Sequence, residues 1–251
     1  MLVAITRSIR TYVQMGSFFV LLLPMVLLLY FALRFIYPNM LADVYDVLIV
    51  RMTAKWYAAV LCRLAPSSRL FDVGIGTATA LVKNKETLLG NRICVVGIDY
   101  EKNYIKKAET VVQRAKLGNV IEVQCKSIYD PQLLSLVTRD GLFDAAYFSG
   151  SLTLMPDPPD ALKCAARVLN DDGVIYVTQT FQNRASPIME RVKPMLSWIT
   201  SVDFGRLTYY AEVHAIVERA GMQVIEDKPV PGSIDNAWQT ARLLVLKPRK
   251  A

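Results

Sequence analysis

The chain has 251 residues, 53% of them hydrophobic and 20% charged, with a formal net charge of +7. That length suits one α/β core with an appendage. Residues 1–65 hold six Lys/Arg against two Asp/Glu, while residues 66–251 hold twenty-three against twenty, so the globular part is too nearly neutral to favour a nucleic-acid partner and the basic front points to a membrane or a targeting signal.

Four cysteines, Cys62, Cys94, Cys125 and Cys164, have no C-x-x-C spacing, which argues against zinc and a disulfide framework. Cys62, Cys94 and Cys164 fall in apolar or helical patterns and are expected as buried thiols. The single histidine, His214, lies in the helical pattern AEVHAIVERAG, and no G-x-S-x-G elbow accompanies it. A Ser-His-Asp hydrolase is therefore unsupported.

In chain order, the first expected element is a membrane helix. From Thr11 to Leu33 no residue is charged, and FFVLLLPMVLLLYFAL is nearly all apolar, about the ~20 residues a bilayer span needs. Arg7 and Arg10 precede it, and Arg34, Tyr37 and Trp56 follow as candidate interface anchors. Pro24 predicts a kink or a shallow hairpin. Residues 1–40 thus read as a membrane-anchoring segment with a lipid membrane as partner. The acid-free, Arg-bearing MLVAITRSIRTYVQ resembles an organellar transit sequence and points to the mitochondrial inner membrane, with an endomembrane facing the cytosol as the alternative.

Residues 41–251 read as one domain. Leu41, Val44, Tyr45, Leu48, Met52, Trp56 and Val60 keep helical spacing until APSSR stops the helix. RLFDVG is a strand and TALVKNKETLL a helix; RICVVGID is a strand and EKNYIKKAETVVQRAKL a helix. VIEVQ, a helix near 131–138, the strand FDAAYFS and the helix PDALKCAARVL follow. NDDG is a turn into the strand GVIYVTQTF; after the 182–208 connection come a helix at 209–220 and the strands MQVIEDKPV and ARLLVLKP. This order predicts an α/β fold with a doubly wound, mostly parallel seven-stranded sheet. The last two strands lack a helix between them, so the final one is expected antiparallel.

The stretch LFDVGIGTATAL sits where a ligand binds in such a sheet, beyond a strand's carboxyl end. Gly74 and Gly76 permit a sharp bend and close approach of a ligand to backbone. Thr79 stands where the dinucleotide fingerprint needs its last glycine or alanine. Asp72 would repel a pyrophosphate but attract an ammonium. Asp99, ending the second strand, can accept from ribose hydroxyls. A nucleoside with an amino-acid tail and no phosphate satisfies both carboxylates, and S-adenosylmethionine is such a molecule.

On these residues the chain resembles the class I S-adenosylmethionine-dependent methyltransferases over about 43–248, most nearly the small-molecule branch that includes quinone-ring and lipid methyltransferases. The resemblance implies the Rossmann-like methyltransferase fold and S-adenosylmethionine as cofactor. The family's first motif falls on LFDVGIGTA, with Ala78 in place of its third glycine. Its ribose carboxylate falls on Asp99, with Tyr100 beside the adenine. After the third strand, Ser127 stands where the family has an adenine-binding Asp, with Ile128 next to it. Its fourth motif falls on FDAAYFSGSLTLMPD, putting Ser149 and Gly150 at the cofactor.

The acceptor is expected against Tyr147 to Ser151, Gln179 to Phe181, and the apolar groups Pro187, Met195, Trp198 and Phe204 of the 182–208 connection. Tyr45, Asp46 and Trp56 belong to a helix that, by the same resemblance, covers the site. MPDPPD reads as a helix start, with Asp157 as cap and Pro158 in the first turn. Transfer from a sulfonium is an in-line displacement that calls for no metal and no fixed base. The leading expectation is a membrane-anchored methyltransferase for a small lipophilic acceptor. The alternatives are a catalytically silent subunit of a membrane protein complex and a protein or RNA methyltransferase.

Overall fold

The computed structural model describes Met25 and residues 40–133, 141–184 and 207–249. The expected membrane run 11–33 apart from Met25, the helix near 131–138 beyond Leu133, and Pro187, Met195, Trp198 and Phe204 lie outside the described residues, as do the side chains of Tyr45 and Asp46. Among the described residues no helix is long and apolar enough to cross a membrane. The chain divides into two compact units, Met1–Val47 and Leu48–Ala251. Residues 40–47 of the first are helical, the opening turns of helix α1 (Met40–Leu61).

The second unit is built on β1 (Arg69–Val73), β2 (Cys94–Asp99), β3 (Ile121–Cys125), β4 (Phe143–Ser149), β5 (Leu169–Gln182), β6 (Met222–Pro229) and β7 (Gln239–Pro248). They form one seven-stranded sheet in the order β3-β2-β1-β4-β5-β7-β6. β1 to β5 are parallel, and β7 runs antiparallel to both β5 and β6. The mostly parallel sheet and the reversed final strand are as the sequence predicts.

Helices cover both faces. α2 (Thr79–Val82), α3 (Lys85–Gly90) and α4 (Lys102–Arg114) share one core with the end of α1, where Val60, Leu81, Leu88 and Ile105 meet Leu70, Val95 and Tyr147. α5 (Pro158–Ala166) and α6 (Tyr210–Arg219) cover the other, with Leu162 and Val213 on Phe71, Ile98 and Val177. Strands buried on both faces read as continuous apolar runs, which is why β1, β2 and β4 were visible in the sequence. The expected cap forms, Asp157 accepting from the Asp160 amide with Pro158 in the first turn of α5; at α4 the structure adds a second, Glu101 accepting from the Asn103 amide.

Three expectations need correction. TALVKNKETLL is two helices, because the Asn84 amide donates to the carbonyls of Ala54 and Ala80 and leaves its own backbone non-helical. NDDG is no turn before β5 but a bulge within it: Leu169 pairs with Phe143 and Val174 with Ala145, so the extra residues loop out. Asn170 fastens that bulge by donating to Asp144. The thiols are not buried: Cys62 and Cys94 are exposed and Cys164 half-buried, and all four cysteines are free.

Candidate active site

The carboxyl ends of β1, β2, β4 and β5 meet under the end of α1. Asp72 sits on the α1 side of β1 with no exposure to solvent. Its Oδ2 accepts from the Tyr57 hydroxyl at 2.7 Å, while Oδ1 is buried without a partner. Burial pushes the Asp72 carboxyl up to about 7; the Tyr57 hydrogen bond opposes that rise and nearby Asp99 adds to it. Burial, then the Asp72 charge, push the Tyr57 phenol well above its usual range.

Beyond Asp72 the chain turns through Gly74 and Gly76, at φ 78 and 59. A Cβ on Gly74 would lie 2.7 Å from that of Ser151, so only glycine fits; one on Gly76 would meet nothing within 4 Å. Ala78 is also left-handed, at φ 56, and buried. Asp99 bridges the loop to the second strand: Oδ2 accepts from the Gly76 amide at 3.0 Å and Oδ1 from Glu101 at 2.9 Å. Burial raises its carboxyl, and those two amides hold it back. Each oxygen keeps a second lone pair for a ligand hydroxyl.

Tyr100 stands open beside it, 78% exposed. Ser127 is exposed, and its hydroxyl accepts from the Tyr129 amide. Ile128 points inward and packs in the core with Val96 and Phe148.

On β4 and β5, Tyr147 is fully buried, its hydroxyl bonded to Thr178 at 2.7 Å and to Ser149 at 3.2 Å. It therefore backs Ser149 from behind. Gly150, at φ 70, lies under Trp56, whose ring is 3.3 Å from where a Cβ would project. Ser151 is buried and donates to the Val73 carbonyl at 2.5 Å, fastening this loop to the glycine turn. On the other face of β5, Gln179 donates through Nε2 to Thr208, and its Oε1 is buried without a partner. His214 stacks on Tyr210 at 4.2 Å, among the helices rather than at this cluster. Tyr57, Thr178 and Thr208 are the residues that sequence reading passed over.

Residues 71–177 match the family model described as a methyltransferase domain. The chain carries a methyltransferase domain. Three solved structures place that domain in its fold class. An S-adenosylmethionine-dependent methyltransferase from Geobacter sulfurreducens, solved with S-adenosyl-L-homocysteine, is 16% identical with a TM-score of 0.54, over 78% of this chain and 90% of that one. The [4+2]-cyclase SpnF is 19% identical, TM-score 0.59, over 78% and 81%. An O-methyltransferase family protein from Burkholderia thailandensis is 16% identical, TM-score 0.60, over 86% and 61%. Likeness at these identities speaks for the fold. A search of curated proteins found no match.

The matched domain, on this fold, supports an S-adenosylmethionine-dependent methyltransferase. The residues present fit that cofactor: an unpaired buried carboxylate oxygen at Asp72, a second carboxylate at Asp99, and open ground over Gly76 between them. When bound, S-adenosylmethionine supplies an electrophilic methyl on sulfur. The methyltransferase domain's own part is to hold donor and acceptor in line and exclude water.

Proposed function

We propose that the chain is a membrane-associated methyltransferase for a small, uncharged, lipophilic acceptor such as a quinone, sterol or lipid. On the donor side the carrying observation is Asp72 Oδ1, buried and unpaired where an ammonium gains most from a carboxylate. In this reading Gly74, Gly76 and Ala78 form the turn against the amino-acid tail, Asp99 takes the ribose, and Tyr100 and Ser127 flank the adenine. Ser149 and Gly150 close the reacting side.

On the acceptor side, no charged residue occupies 147–155 or 176–183. A charged acceptor would find no counter-ion among those residues, whereas a neutral one loses little on entering. Gln179 Oε1 is free to accept from a hydroxyl or N–H on the acceptor. Leu154 and Trp238 are exposed at this end of the sheet, which favours apolar company. The apolar run 11–33 and the apolar groups of the 182–208 connection support delivery from a bilayer. The acid-free, Arg-bearing front supports an organellar membrane, the mitochondrial inner one, over an endomembrane.

The silent-subunit reading draws on Ala78, on Ser127 in place of an aspartate, and on the closure of Asp72 from solvent. Incubating the full chain in membranes with methyl-labelled S-adenosylmethionine separates the readings. Label entering the lipid extract supports the proposal. Binding without transfer supports the silent subunit in a membrane complex, and label in protein or RNA moves the acceptor there.

A further inference from the structure

Asp72 has two oxygens in different circumstances. Oδ2 is held by Tyr57, a residue of α1 fifteen positions upstream, at 2.7 Å, and both side chains are buried. The Tyr57 ring is itself fixed, edge-on against Tyr147 with centroids 5.1 Å apart. Its neighbours secure the helix: Lys55 donates to the Gly232 carbonyl and Trp56 Nε1 to Ser233 Oγ at 2.9 Å. The hydroxyl is therefore delivered to one oxygen by a braced helix, and the carboxylate plane is fixed with Oδ1 left over.

We propose that Tyr57 is a positioning residue for the methyl donor, holding Asp72 by Oδ2 so that Oδ1 meets the donor's ammonium and the carboxylate stays charged when it does. The inference rests on the reading of Asp72 given above. Its physical content is a division of labour. A carboxylate free to rotate would present either oxygen and lose ordering entropy on binding, whereas one already held loses less. A phenol donor also favours the ionised form of a group that burial drives toward neutrality. The titratable groups facing Asp72 are Tyr57 from α1, Asp99 from β2 and Tyr147 from β4. None is a cation, so the hydroxyl of Tyr57 is the stabilising contact of that set. Helix α1 thereby becomes part of the cofactor site and not only its cover.

The test compares two ligands by titration calorimetry on the full chain from pH 5.5 to 8.5: S-adenosylhomocysteine, which has the amino-acid tail, and methylthioadenosine, which lacks it. Tyr57→Phe keeps the ring and removes the donor. It is expected to weaken S-adenosylhomocysteine about tenfold at pH 7, to move the midpoint of its pH dependence upward, and to leave methylthioadenosine within twofold. Tyr57→Gln and Tyr57→Met repeat the contrast at matched size should Tyr57→Phe fail to fold, and the glutamine is expected to bind tenfold better than the methionine. Equal loss for both ligands, or no change in affinity and midpoint, overturns the inference. Wild-type protein that binds neither ligand overturns the methyl-donor reading itself, a different outcome.

Discussion

Ala78 holds φ 56 with a methyl group that the left-handed region disfavours. Ala78→Gly is expected to stabilise the fold by about 0.5–1 kcal/mol, the relieved strain less the entropy glycine adds to the unfolded chain, read as a higher urea midpoint. The two glycines of the same turn should behave differently from each other. Gly74→Ala forces a Cβ to 2.7 Å from Ser151 and should cost about 2–4 kcal/mol of stability, steric overlap adding to backbone strain. Gly76→Ala meets no neighbour within 4 Å, so only its positive φ is strained, at about 1–2 kcal/mol, and its main effect should fall on cofactor affinity. At the acceptor end, Gln179→Met removes a buried unpaired oxygen. We expect unchanged stability, unchanged S-adenosylhomocysteine binding, and transfer to lipid extract lowered about tenfold, the worth of one hydrogen bond. Equal transfer by this variant would remove Gln179 from the acceptor's partners.

Among the elements, α1 carries more than its apolar stripe announces. Trp56 lies on that stripe and was legible; Tyr57 is one residue off it, and nothing in helical spacing shows that its hydroxyl finds Asp72. Such a contact depends on how a helix is set against a sheet, which local pattern does not encode. The strands were legible for the opposite reason: burial on both faces makes β1, β2 and β4 largely apolar whatever their neighbours, so that Asp72 and Asp99 stand out in them. The break at Asn84 and the bulge at Asn170 escaped because each rests on a side-chain amide choosing a distant carbonyl or carboxylate. Asp72, Asp99 and the glycines could be read because their spacing follows the backbone turn, while the free oxygen of Gln179 could not. Trp56→Ala, which empties the space above Gly150 and unties Ser233, is expected to destabilise by about 3–5 kcal/mol, measured by urea unfolding.

For the molecule as a whole, the buried carboxylates set how stability responds to acid. Asp72 holds its proton until about pH 7 in the folded chain and releases it near pH 4 when unfolded. The folded state therefore binds more protons between those values, and stability falls as pH rises through them, by about 4 kcal/mol in the limit of full burial. Asp99, also raised, works in the same direction. Asp130 and Glu226 are lowered and oppose it, but both are solvent-screened and count for little. Thermal melts of the ligand-free chain should thus show a declining midpoint from pH 4.5 to 7.5, and Asp72→Asn should flatten most of that decline. The placement of β7 between β5 and β6 has a different consequence, in time. During synthesis β5 emerges with one edge unpaired, and its partner is not made until residues 239–248 leave the ribosome. For that interval a row of open amides and carbonyls invites a neighbouring nascent chain to pair instead, so yield in a translation reaction should rise with added holdase chaperone and fall when ribosomes are crowded on the message.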